Sequence, residues 1–279
     1  MTEIRLMKHD DIETGLELCR FAGWNQIRSH WEILLALAPD GVFAVEIDGR
    51  VRGTASAVAH GARIGWIGMI LVHPEFRRRG IATSLMNRCI EHLRNKGIES
   101  IKLDATDLGR PVYLKLGFKD ELPICRYAGR KPSLPSAPAD VRPIAPADWS
   151  PIAAMDRAAF DADRLPLLKL LCHEGLSGVV ETSGRIQAYG FARRGFHASS
   201  IGPVVAANPQ AARSLILALL EKLPAGDVYW DFMPDNAPCR EMAESLGFTV
   251  ARQLTRMYLG AMNPGKMHMI FGGAGFELG

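Results

Sequence analysis

At 279 residues the chain has room for one large domain or two of ordinary size. Its residues are 48% hydrophobic and 23% charged with a net charge of only +3, which excludes a disordered polyelectrolyte and offers no basic arm for nucleic acid. The densest apolar run, Gly65 to Val72, is too short to cross a bilayer and reads as a buried strand, so no membrane partner is expected.

In chain order, a short strand at Ile4–Leu6 precedes a helix that Asp10 can cap, with Glu13 as its capping-box partner. A second helix follows near Asn25–Leu37. Val42–Ile47 and Val51–Ala59 flank an Asp48-Gly49 turn, the signature of a hairpin. Ile64–Val72 is the central strand. Ile81, Leu85, Cys89, Ile90 and Leu93 mark one face of a helix that Gly97 can end. Ser100–Ala105 reads as a strand, Pro111–Leu116 as a short helix closed by Gly117, and Phe118–Ala128 as a closing pair of strands.

Arg130–Asp140, rich in Pro, Ser and Ala, reads as an exposed linker. Beyond it the signals return in the same order. Val141-Arg-Pro echoes Ile4-Arg-Leu, Ser183-Gly-Arg-Ile echoes Asp48-Gly-Arg-Val, Ile201-Gly-Pro echoes Ile67-Gly-Met, and Leu246-Gly-Phe echoes Leu116-Gly-Phe. The offsets are 137, 135, 134 and 130 residues, which indicates an internal duplication. Five scattered cysteines without a Cys-x-x-Cys pair, and no apolar leader at Met1-Thr-Glu-Ile-Arg, fit a cytoplasmic protein with reduced thiols.

The most informative segment is Val72-His-Pro-Glu-Phe-Arg77-Arg78-Arg79-Gly80-Ile81-Ala82-Thr83, which joins a buried strand to an amphipathic helix. Gly80 lets a ligand approach the backbone, and the helix amides beside three arginines attract a pyrophosphate. On chemistry alone the segment reads equally well as a basic surface loop. Dispersed histidines give no metal site, and no hydrolase, zincin or Walker motif competes.

Arg77-Arg78-Arg79-Gly80-Ile81-Ala82 after Val72-His73-Pro74 resembles the acetyl-CoA loop of the GNAT superfamily, Arg/Gln-x-x-Gly-x-Gly/Ala. Tyr113-Leu-Lys-Leu-Gly117-Phe118 resembles the family's Tyr-x-x-x-Gly-Phe signature. The whole chain resembles bacterial proteins with two tandem GNAT domains. The resemblance implies an α/β (α+β) fold of two GNAT-like domains, 1–129 and 141–279 about the 130–140 linker, each a mixed, mostly antiparallel sheet flanked by helices. It also implies acetyl-CoA as cosubstrate, without a metal. The amides of Arg78 to Thr83 would hold the pyrophosphate with support from Arg77. The strand edge at Leu71–Val72 would pair the pantetheine arm and offer an oxyanion donor, and Tyr113 would be the general acid.

One departure concerns the base. Many relatives carry a carboxylate on the central strand where this chain has Gly68. Asp104, Asp107 or a water chain are the replacements at hand, and Asp104 reads equally as a residue bonding backbone at a strand end. Arg110 reads as a surface charge or a phosphate contact. The second half has lost the cofactor parts. Val72 to Thr83 spans eleven residues but Ala206 to Arg213 only seven, and Ala243 stands where Tyr113 would be. That half is expected to close over the acetyl end and form part of the acceptor site, with Asp231 as its candidate substrate or base residue. The expected reaction is acetylation of a small-molecule amine or amino acid. The alternatives are acetylation of a protein N-terminus or lysine, and a non-catalytic acyl-CoA sensor.

Overall fold

The computed structural model describes residues 2–134, 138 and 140–279, so part of the linker read at Arg130–Asp140 lies outside the described residues. The first half runs β1 (Thr2–Leu6), α1 (Ile12–Phe21), α2 (Arg28–Leu37), β2 (Val42–Ile47), β3 (Arg50–His60), β4 (Ile64–Val72), α3 (Ile81–Asn95), β5 (Ser100–Ala105), α4 (Arg110–Lys115) and β6 (Lys119–Arg130). The second half repeats the order as β7 (Val141–Arg142), α5 (Trp149–Phe160), α6 (Leu165–Glu174), β8 (Leu176–Thr182), β9 (Arg185–Arg193), β10 (Ser199–Ala206), α7 (Pro209–Lys222), β11 (Asp227–Phe232), α8 (Ala237–Ser245) and β12 (Thr249–Gly260). A short strand, β13 (Ile270–Gly272), follows.

Local chemistry explains these elements. Asp48 and Gly49 both have positive φ, as do Ser183 and Gly184, so each half has its β-hairpin turn with a twist that matches the strands. The first helix starts differently from the sequence reading. Asp11, not Asp10 with Glu13, accepts from Lys8 N at 2.7 Å and pairs with Arg5, which also reaches Glu46 at 2.8 Å. In the second half Asp148 accepts from Ala145 N at 2.7 Å, and Arg142 pairs with Asp148 and Glu181. The triad Arg5, Asp11, Glu46 thus recurs as Arg142, Asp148, Glu181, offset by 137, 137 and 135 residues. A polar network repeated in this way is a stronger sign of duplication than glycine-rich turns.

Among the described residues thirteen strands join one sheet, in the order β1-β2-β3-β4-β5-β12-β6-β11-β10-β9-β8-β7, with β13 on β10. The order contains an exchange: β12 of the second half lies between β5 and β6, and β6 of the first half lies between β12 and β11. The closing strand pair read at Phe118–Ala128 is therefore one strand, whose partner comes from the other half. Nothing within Lys119–Arg130 has the positive φ of a tight hairpin turn, so the strand runs straight on. An arginine ties each exchanged strand to a facing aspartate. Arg256 of β12 meets Asp104 of β5 at 2.9 and 3.1 Å, and Arg126 of β6 meets Asp231 of β11 at 2.8 and 2.7 Å.

The halves also share a core. Trp31 and Leu34 of α2 pack in one buried cluster with Phe160 of α5 and Leu168 and Leu171 of α6. Alternate residues of β3, Val58 and Ala57, enter this cluster and the separate one under α3, so helices cover both faces of the sheet. No helix among the described residues is long and apolar enough to cross a membrane.

Candidate active site

The site begins where two parallel strands part. β4 pairs with β5 only over Ile64–Trp66, although β4 continues to Val72 and β5 to Ala105. On its other side β4 bulges: Gly68 faces Ser56 and Leu71 faces Thr54, which leaves two residues opposite one. Met69 sits in the bulge at φ 51°, and Thr54 Oγ1 donates to its carbonyl at 3.0 Å. Beyond Trp66 the β5-side edge of β4 has no strand partner among the described residues. The two strands are therefore parted beside Leu71–Val72, leaving a slot, and the bulge in β4 lies slightly upstream, at Met69–Ile70.

The slot leads to the N-terminus of α3. Gly80 takes φ 80° there, and no side chain caps the helix. Arg77 turns back so that Nε donates to Val72 O at 3.1 Å, while Arg79 donates to Glu75 O at 3.1 Å and stacks over Phe76. The Arg78 side chain makes no hydrogen bond among the described residues, and its φ is 61°. Ile81 buries its side chain in the core, whereas Gly80 and Thr83 are exposed, so the first turn is anchored from below and open above. That leaves the amide groups that attract an anion at a helix start.

Between the parted strands lies a cavity of about 120 Å³. Tyr113 of α4 lines it, with a hydroxyl that makes no hydrogen bond among the described residues. Burial pushes the Tyr113 phenol up to about 12, so it is protonated at neutral pH. Asp104 also lines the cavity, but both its oxygens are held by Arg256, which in turn stacks over Trp66. Burial pushes the Asp104 carboxyl up against the pull of that guanidinium. Asp107 is exposed, and Arg110 pairs with Asp120 on the surface. Asp231 does not line this cavity; it sits behind Arg126, which does.

The second half contributes Arg252 and Leu254 of β12, and Phe276 and Glu277 of the glycine-rich segment that follows β13. The structure gives that segment a defined path. Trp230 Nε1 donates to Phe271 O at 2.6 Å, Trp66 Nε1 to Phe276 O at 2.9 Å, and Arg164 Nη1 to Gly279 O at 2.9 Å. His60 Nε2 lies 2.9 Å from Leu278 O. A Cβ on Gly68 would stand 2.8 Å from Glu277 O and 2.9 Å from Glu277 Cα. Gly68 is thus a glycine because this segment passes directly over it.

The same part of the chain also fills the corresponding place in the second half. β10 and β11 also pair for three residues only, Ser199–Ile201 with Val228–Trp230, and then part. Here β13 fills the gap, pairing antiparallel to β10 at Val204 and Val205. The helix start is closed as well, since Asn208 accepts from Ala211 N at 2.9 Å and caps α7, with Pro209 as its first residue. Ala243, in the place of Tyr113, is fully buried. Among the described residues no group of three or more His, Cys, Asp and Glu could hold a metal ion.

Comparison with known proteins identifies the family. Residues 10–118 match the Acetyltransferase (GNAT) family and residues 152–272 the Acetyltransferase (GNAT) domain. The uncharacterized N-acetyltransferase YitH of Bacillus subtilis is 26% identical over 217 residues, covering 76% of each chain. A proposed acetyltransferase from Pyrococcus horikoshii superposes with a TM-score of 0.86 at 25% identity, covering 100% of this chain and 96% of that one. A tandem GNAT protein from the clavulanic acid biosynthesis pathway has the same fold, with a TM-score of 0.65 at 17% identity over 94% of this chain and 99% of that one. The chain belongs to the GNAT family of N-acetyltransferases and carries two tandem copies of the domain.

Proposed function

We propose that the chain moves the acetyl group of acetyl-CoA to the primary amine of a small molecule, an amino acid or a close relative of one. The observation that carries this reading is the run from the uncapped start of α3, along the free edge of β4, into a cavity holding the Tyr113 hydroxyl. The amides of Arg78 to Thr83 hold the pyrophosphate, and Arg77 shapes the loop they belong to. A Cβ at Gly80 would meet no protein atom within 4 Å, so the space above that glycine is left to the ligand. Among the described residues there is only one such opening, because β13 and Asn208 occupy its counterpart.

The charges of the cavity favour an amino acid. Asp104, Arg126 and Glu277 each have a counter-charge, in Arg256, Asp231 and Arg193. Arg252 is half-buried and has no ion pair among the described residues. A carboxylate on the acceptor would satisfy it, and a small cavity suits such a molecule better than a polypeptide. Thiol release measured with amino acids and with their decarboxylated amines tests this directly: the amino acids are expected to be the better acceptors. Equal turnover of both sets would sink the amino-acid reading. Turnover of a peptide N-terminus or lysine alone would favour a protein acceptor, and tight binding without turnover a sensor. A calorimetric titration is expected to give one acetyl-CoA per chain, and two would contradict a closed second half.

Tyr113 can steady the departing thiolate with its hydroxyl hydrogen. In Tyr113→Phe, kcat is expected to fall by roughly 10-fold or more with acetyl-CoA affinity little changed. Because the phenol titrates only near 12, it adds no loss of activity between pH 8 and 10. An unchanged kcat in the variant would leave Tyr113 a packing role only.

A further inference from the structure

We propose that Glu277 takes the proton from the acceptor's ammonium group, so that the second half of the chain supplies the base that Gly68 lacks. The proposal rests on the acetyl-transfer reading above. It starts from a steric match: Gly68 leaves room for the backbone of Glu277, so the residue without a side chain and the one with a carboxylate lie against each other. The backbone of Glu277 therefore passes against the central strand, and the residue lines the cavity beside it, although it arrives from the far end of the sequence.

Three carboxylates surround this region, and their bonding separates them. Asp104 gives both oxygens to Arg256, and Asp231 gives both to Arg126. Glu277 lines the same cavity as Tyr113 and Gly68, and only its Oε1 is engaged, by Arg193 Nη2 at 3.3 Å. Its Oε2 accepts no hydrogen bond among the described residues. The groups that face Glu277 are Arg193 of β9, the Arg126–Asp231 pair, His30 of α2 and Cys19 of α1, with Arg252, Tyr113 and the Arg256–Asp104 pair also around the cavity. Arg193 Nε and Nη1 are buried without a hydrogen-bond partner among the described residues, beside a cavity of about 20 Å³ that Glu277 and His30 also line. That space fits one water, which gives the proton a way out.

The transfer balances as follows. Glu277 accepts one proton from the ammonium, and the freed nitrogen pair forms the C–N bond to the thioester carbon, whose π pair moves onto oxygen. When that pair returns, the C–S bond breaks and its electrons leave on sulfur, which takes a proton from Tyr113. The nitrogen's second proton goes to solvent, solvent restores Tyr113, and Glu277 releases its own proton through the small cavity.

The test compares the unaltered protein with Glu277→Gln and Glu277→Asp, using an amine that the unaltered protein acetylates. Glu277→Gln is expected to keep its acetyl-CoA affinity and to lose about 10²–10³-fold in kcat/KM for the amine at pH 7. The loss should shrink about tenfold per pH unit toward the amine's own pKa near 10, because solvent then removes the proton. Glu277→Asp keeps the charge beside Arg193, and is expected to show a smaller fall in kcat with the pH profile retained. A Glu277→Gln profile matching that of the unaltered protein overturns the proposal. If that variant no longer binds acetyl-CoA, Glu277→Asp decides, and an unchanged kcat there overturns it. Absence of turnover by the unaltered protein with every amine overturns the acetyl-transfer reading and this one with it.

Discussion

In Gly80→Glu, acetyl-CoA affinity is expected to fall by about two orders of magnitude or more, equivalent to about 2.7 kcal/mol, while the fold survives. The fold survives because the new Cβ meets no protein atom within 4 Å. The φ of 80° costs an L-residue about 1–2 kcal/mol, and a carboxylate at an uncapped helix start returns about 0.3–1 kcal/mol of that. The same carboxylate occupies the amides that would hold the pyrophosphate and repels its charge. Gly80→Ala separates the causes, since it adds the strain without the charge and should lose far less affinity. Calorimetry on both variants checks the prediction. Unchanged binding in a folded Gly80→Glu protein would remove the pyrophosphate assignment.

Most elements of the first half were legible because each is written locally. The Asp48-Gly49 turn, the apolar stripe from Ile81 to Leu93 and the glycine at 97 settle their own elements, and the Ser100–Ala105 strand falls where the sequence places it. The cofactor loop was legible for the same reason, since strand, glycine and helix start are consecutive. The exchange of β6 and β12 was not, because pairing between strands more than a hundred residues apart leaves no local pattern. One signal was available: counting ten residues from Leu116 or from Leu246 reaches Arg126 and Arg256, the two arginines that tie the exchanged strands. Glu277 was beyond reach for a different reason. Its nearness to Gly68 depends on β13 filling the second half's gap and on where a glycine-rich segment goes next. Asp231 stands near the end of β11. Its position is that of Asp104 in the duplicated pair, and each does the same work for an arginine of an exchanged strand.

That shared work sets the expected outcome for Arg256→Ala, a loss of about 3–5 kcal/mol in stability. The Asp104 side chain is fully buried, and Arg256 provides both of its hydrogen bonds. Truncating the arginine leaves a carboxylate away from water with no counter-charge, and removes a guanidinium packed 4.6 Å from the Trp66 ring centroid. The damage reaches further than one pair, because β12 is the strand through which the second half joins β5. Adding Asp104→Asn removes the unpaired charge, so the double variant should regain part of the lost stability, and the cycle of single and double variants gives the coupling. Chemical denaturation of the four proteins measures it. Arg256→Ala as stable as the unaltered chain would show that strand pairing and core packing alone hold the exchange. A double variant less stable than Arg256→Ala would show that Asp104 has a second partner in the folded chain.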